Sequence, residues 1–144
     1  MAEMTTDELN EFLRRTRQAI LVRTTAQGAP TGAPVWFDWD GEVVRMFSSA
    51  EAPKVGGIRR DPRIAVVVSN DLDESPAWVR FEGEAVIDAE TDARPLAVDV
   101  LAPRYWDVTD PDVAAYLDQW RAAPAAAFVI IELRPSRIAS NGAA

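Results

Sequence analysis

The sequence predicts a mainly β protein with flanking helices, built on a six-stranded antiparallel sheet closed into a small barrel. Short β-rich runs recur along the chain with turn residues between them, above all Gln27-Gly28-Ala29-Pro30 and Asp40-Gly41. The long run 77–88 alternates apolar Val79, Phe81, Ala85 and Ile87 with polar Arg80, Glu82 and Glu84, the period of a half-buried strand. Gly83 in its middle permits a sharp bend of the kind a curved sheet needs. No GxGxxG or phosphate-loop glycine motif follows a strand, which argues against a doubly wound dinucleotide fold.

Each element has its own justification. The 144 residues read as one domain, 1–144. Within 1–18, Thr5 or Thr6 can cap a helix whose Leu9, Phe12 and Leu13 form one apolar stripe at helical spacing. Segment 19–89 holds five barrel strands, at 19–25, 31–39, 42–47, 64–69 and 77–88. Pro34 would interrupt a ladder, so the second strand is expected to have an edge or a bulge there. Asp40-Gly41 is a two-residue hairpin signal. Between the third and fourth strands, 48–62 read as a polar loop and a short helix opened by Pro53 and stopped at Asp61-Pro62. Segment 90–123 is helical in character but interrupted by Pro95, Pro103 and Pro111, with Thr109 or Asp110 as a cap. Segment 124–138 holds the sixth strand, 126–133, and 139–144 read as a small, polar, loose tail.

Composition removes whole classes of chemistry. The chain has no cysteine, which excludes disulfides, thiolate metal sites and cysteine nucleophiles. It has no histidine, the commonest metal ligand and general base, so no metal site is expected. The net charge of -8 argues against nucleic acid as a partner. No apolar run approaches the ~20 residues of a membrane span. The N-terminus lacks a signal-peptide layout, so a cytoplasmic protein is the default expectation.

Against this acidic background one stretch stands out. The strand ending Met46-Phe47 gives way to two hydroxyl residues, Ser48 and Ser49, and Pro53-Lys54 then open the short helix. Arg59, Arg60 and Arg63 follow near its end. A helix start with free N–H groups, hydroxyls before it and a lysine in its first turn can hold a phosphate. A solvated basic face is the competing reading, and the adjoining serines tip the balance toward an anion.

These pieces in this order carry a resemblance: Ala33-Pro34-Val35-Trp36-Phe37 before Asp40-Gly41, then Phe47-Ser48-Ser49, then Lys54-Val55 through Ile58-Arg59-Arg60-Asp61-Pro62-Arg63, and finally Arg134-Pro135-Ser136-Arg137-Ile138. The chain resembles the split β-barrel flavin-binding family typified by pyridoxamine 5′-phosphate oxidase, and within it the short actinobacterial oxidoreductases that use the deazaflavin coenzyme F420. The resemblance implies a homodimer with cofactor sites at the subunit interface. It assigns the ring-contacting strand to Pro34, Val35, Trp36 and Phe37, and the phosphate grip to Ser48, Ser49 and Lys54. Arg59 and Arg60 are implied to reach the phosphate or the acidic tail of F420, and Trp78 to contribute across the interface. The histidine and the arginine-rich ending with which the oxidases bind a pyridoxal substrate are absent, which argues against vitamin B6 oxidation.

The implied activity is hydride transfer between F420 and an electron-poor small molecule such as an enone, quinone or tetrapyrrole. FMN in the same fold is the alternative cofactor, and a non-enzymatic ligand-binding protein is the alternative of another class. No catalytic residue is assigned, although Tyr105 is a candidate proton donor. Trp39, Trp106 and Trp120 read as core or interface residues, and Glu82 and Glu84 as a solvated strand face.

Overall fold

In a computed structural model describing residues 2–142, the order of elements follows the sequence reading, with two extra strands. Met1 and the end of the expected tail, 143–144, lie outside the described residues. Helix α1 (Thr6–Arg14) is capped by the Thr5 hydroxyl, which accepts from the Glu8 N–H. It lays Leu9, Phe12 and Leu13 over the sheet. Strands β1 (Ala19–Thr24) and β2 (Pro30–Val35) form a hairpin, with Ile20 opposite Pro34. Because β2 is an edge strand, the missing N–H of Pro34 costs no inner ladder bond.

The expected strand 31–39 is broken. Trp36 and Phe37 leave the ladder, and β3 is only Asp38–Trp39. It turns at Asp40-Gly41 into β4 (Val44–Ser49); Gly41 has φ +97°, which an L side chain rarely adopts. The Asp40 carboxylate closes this turn by accepting from the Glu42 and Val43 N–H groups at 2.8 and 2.7 Å.

Helix α2 (Pro53–Arg60) leads into β5 (Arg63–Ser69) and β6 (Ala77–Asp88). A wide π-helical turn, Pro95–Leu101, runs into the short α3 (Ala102–Tyr105), and α4 (Pro111–Ala122) follows. A 3-10 turn at Ala125–Ala127 delays the next strand, β7, to Phe128–Leu133.

The chain then makes an eighth strand, β8 (Arg137–Gly142), where a loose tail was expected. It pairs with the first half of β6, and β7 pairs with the second half, so both lie along β6. Between them, Arg134-Pro135-Ser136 bulges opposite Gly83, and the Ser136 N–H returns to the Glu82 carbonyl at 2.9 Å. The small polar residues of β8 have little strand propensity of their own. Their order comes from a partner far away in sequence.

The sheet order is β2-β1-β5-β6-β7-β4-β3, with β8 also on β6. The antiparallel sheet curls into a half-barrel and does not close, because β2 and β3 at its two ends do not pair with each other. Eight strands, not six, therefore make an open barrel. Its interior holds Leu21, Met46, Val66, Val68, Phe81, Ile131 and Leu133, all buried. A separate, smaller apolar cluster forms where Ala97, Val98, Ala102 and Leu117 of the helical excursion meet Trp36, Phe47, Val113 and Trp120.

Candidate cofactor groove

The two apolar clusters face each other across a groove of about 420 Å³, within the range of small-molecule sites. The end of β2 brings Pro34, Val35 and Trp36 to one wall. The end of β4 brings Phe47, Ser48 and Ser49, and the start of α2 brings Ala52 and Lys54. Six of the residues singled out by sequence, Pro34, Val35, Trp36, Ser48, Ser49 and Lys54, thus line one surface.

The other four lie elsewhere. Alternation along the chain turns the Phe37 side chain into the barrel core, and only its backbone N–H points back, donating to the Tyr105 hydroxyl at 3.3 Å. Arg59 and Arg60 are exposed at the far end of α2, beyond the groove lining. Trp78 lies on the outward face of β6, its ring centroid 5.4 Å from the Arg80 guanidinium.

The sequence reading missed Gln18, Phe47 and Ala52 as lining residues, and read Trp106 and Trp120 as core or interface residues. Those tryptophans instead complete an aromatic wall. Trp36 meets Trp106 edge-on at 4.6 Å, and Tyr105 is stacked on Trp36 from the other direction at 5.0 Å with ring planes 5° apart. Trp120 packs on Phe47 at 5.4 Å and on Tyr116 at 5.4 Å. The signal available in sequence was the aromatic content of the excursion, with Tyr116 and Trp120 on one face of α4.

Tyr105 is a pin and not a groove residue. Its hydroxyl donates to the Arg17 carbonyl at 2.7 Å while accepting from Phe37, and burial raises its pKa above the usual tyrosine value. Beside it, Arg104 pairs with Asp38 at 2.8 Å. Both contacts fix α3 to the barrel.

At the opposite end the groove is electropositive. Ser48 is buried and its hydroxyl donates to the Ser49 carbonyl at 3.0 Å, while Ser49 is exposed. Helices α1 and α4 are capped by Thr5 and Asp110, but Ala52 at the start of α2 offers no capping side chain. Burial, and then the neighbouring Arg23 guanidinium, hold the Lys54 ammonium below the usual lysine range.

Ion pairing singles out the same corner. Arg63, expected to belong to the free basic group, is neutralised by Asp61 at 2.8 Å. The other arginines of the chain pair with carboxylates too, except Arg23, Arg59 and Arg60. These three and Lys54 are the cations without a carboxylate partner among the described residues, and all lie on α2 or against it. In a protein carrying a net charge of -8, cations left unpaired in one place make a local positive potential that would attract an anion.

Comparisons with known proteins agree with the fold. The profile of the pyridoxamine 5′-phosphate oxidase family matches residues 5–141. A solved structure named as an F420 reductase is 27% identical, covers 90% of this chain and 94% of its own, and superposes with a TM-score of 0.69. A conserved hypothetical protein of Mycobacterium tuberculosis is 24% identical over 96% of this chain and 85% of its own, with a TM-score of 0.72. A FAD-binding protein of Mesorhizobium loti is 17% identical over 96% of this chain and 93% of its own, with a TM-score of 0.64. No curated protein matches the sequence. With nearly its whole length matched, the chain belongs to the pyridoxamine 5′-phosphate oxidase family.

Proposed function

We propose that this protein is an F420-dependent oxidoreductase that reduces a planar, electron-poor small molecule. The observation that carries the reading is the unpaired cation corner at the end of an aromatic groove. The residues fit the group. Ser49 and Lys54, with the uncapped start of α2, suit the cofactor phosphate, and Trp36 with Pro34 and Val35 suits the flat ring. Arg59 and Arg60 lie five and six residues beyond Lys54, about 8 Å along the helix. That spread suits further carboxylates better than the single phosphate of FMN. The solved F420 reductase at 27% identity supports the same choice.

When bound, the reduced deazaflavin supplies a hydride to an electron-deficient carbon of the acceptor. The chain supplies binding and orientation. Trp106 and Trp120 form the wall available to a flat conjugated acceptor. Lys54 is the one ionisable group lining the groove among the described residues, and it stands at the phosphate end. The proton that completes the reduction therefore comes from water in this reading.

Titration of the protein with F420 and with FMN, followed by quenching of the groove tryptophans, tests the proposal. F420 should bind the more tightly, and Lys54→Ala should weaken it by one to two orders of magnitude, the worth of a charge-assisted hydrogen bond. Preference for FMN would move the protein to the flavin branch, and binding of neither would end the cofactor reading.

The reading extends to a homodimer. It is supported by the outward face of the sheet, where Ile20 is 40% exposed and Asn141 Oδ1 is enclosed without a hydrogen-bond partner. Sedimentation equilibrium should give twice the chain mass, and a monomer at every concentration would refute it.

A further inference from the structure

Arg23 belongs to no motif of the sequence, yet its position is built. It lies on β1 at the level of Thr31 in β2, and its guanidinium rests on α2 against Gly57. A Cβ on Gly57 would stand 2.4 Å from Arg23 Nη1 and 3.2 Å from Cζ, and its three nearest atoms all belong to Arg23. Gly57 is therefore the notch that lets the guanidinium settle on the helix. It is not needed for a turn, because glycines with positive φ occur only at Gly28 and Gly41. A buried glycine in mid-helix weakens that helix, so the notch has a cost in stability.

What occupies the notch is a cation without a counter-charge. The only hydrogen bond of the Arg23 side chain is a long one, 3.4 Å to the Thr24 carbonyl. The nearby Asp61 is already taken by Arg63 and by the Thr24 hydroxyl. The other charged neighbour is Lys54, of like sign. Lys54 and Gly57 lie three residues apart on α2, so the two half-buried cations stand on the same side of that helix, where like charges repel. The arrangement becomes favourable when an anion lies between them.

We propose that Arg23, seated in the Gly57 notch, is the second cation of the phosphate clamp and determines how strongly the groove selects a charged cofactor tail. This rests on the reading of Lys54 as the phosphate ligand and adds a residue from a different strand. Lys54 supplies a compact point charge, while the planar fork of Arg23 can take two oxygens of one phosphate or carboxylate.

The experiment uses the full-length protein and two probes, inorganic phosphate and F420. Thermal melts and tryptophan fluorescence are recorded in phosphate and in chloride of matched ionic strength, for the wild type, Arg23→Gln, Gly57→Ala and the double variant. Without phosphate, both single variants should melt at or above the wild-type temperature, because one removes the repulsion and the other replaces a helix glycine. With phosphate, the wild type should gain stability over chloride and both variants should lose most of that gain. Their F420 affinities should fall at least tenfold, and the double variant should fall no further, since both changes remove the same seated guanidinium.

A phosphate gain equal to that of the wild type in both variants overturns the proposal. So does a wild type that responds no more to phosphate than to chloride, or variants that melt well below the wild type without phosphate, which would make Arg23 structural. Failure of F420 alone to bind, with the phosphate pattern intact, would instead overturn the choice of cofactor.

Discussion

Tyr105 and Trp36 lie face to face beside the groove, and the division between them is one of hydrogen bonding. The tyrosine hydroxyl has both of its uses filled, by the Arg17 carbonyl and the Phe37 N–H, so it has no proton to offer the groove. Tyr105→Phe should therefore cost about 1 kcal/mol of stability, the net worth of a part-buried hydrogen bond. Turnover by the folded variant should stay near that of the wild type. A drop in kcat by orders of magnitude, with the fold intact by circular dichroism, would restore Tyr105 as an acid. Residues of this kind are hard to read in sequence. Ser49 and Lys54 were legible because their chemistry is local, a hydroxyl and a cation at a helix start. Trp106 at the groove and Arg23 against Gly57 were not, because each takes its place only through a contact between distant segments.

Strand β6 carries the architecture at the next scale. Its first half lies between β5 and β8, and its second half pairs with β7, so it must bend where its partners change. Gly83 is at that point. A Cβ there would stand 3.1 Å from Leu133 Cδ1, 3.2 Å from the Ser136 nitrogen and 3.3 Å from the Arg134 carbonyl oxygen, two of them backbone atoms that cannot rotate away. Gly83→Ala should destabilise the fold by about 1–3 kcal/mol, the usual range for overpacking, measured by urea denaturation. An unchanged midpoint would show that the bend tolerates a side chain. The strand and its glycine could be read from period-two alternation. The bulge and β8 could not, because residues of low strand propensity such as Ala139, Ser140 and Asn141 acquire strand geometry only from the neighbour they pair with.

For the molecule as a whole, acid sensitivity follows from how its carboxylates are held. The Arg45 guanidinium, with the Val43 and Glu42 N–H groups, lowers Asp40 to about 2. The Arg17 guanidinium and the Asp71 N–H lower Glu74 to about 2. The contact with Arg63 and its N–H, then the Thr24 hydroxyl, lowers Asp61 further still. A carboxylate whose folded pKa is depressed contributes stability that is complete above its unfolded value, about 4, and is lost as pH falls through the folded value. The melting temperature should accordingly decline steadily as pH is lowered from about 4 to about 2. A flat profile across that window would mean that these pairs contribute nothing to stability.

The separate apolar cluster of the helical excursion has a consequence for how such proteins diversify. It meets the half-barrel through three rings, Trp36, Phe47 and Phe128, and is fastened by the Tyr105 and Arg104 contacts. The cation corner stands on other elements, β1 and α2. On the proposed function, the excursion is the part of the chain whose surface at Trp106, Tyr116 and Trp120 would be rewritten to admit a different acceptor, while Lys54, Arg59 and Arg60 stay in place on α2. A change of substrate range would then have a place to occur apart from the residues proposed to hold the cofactor.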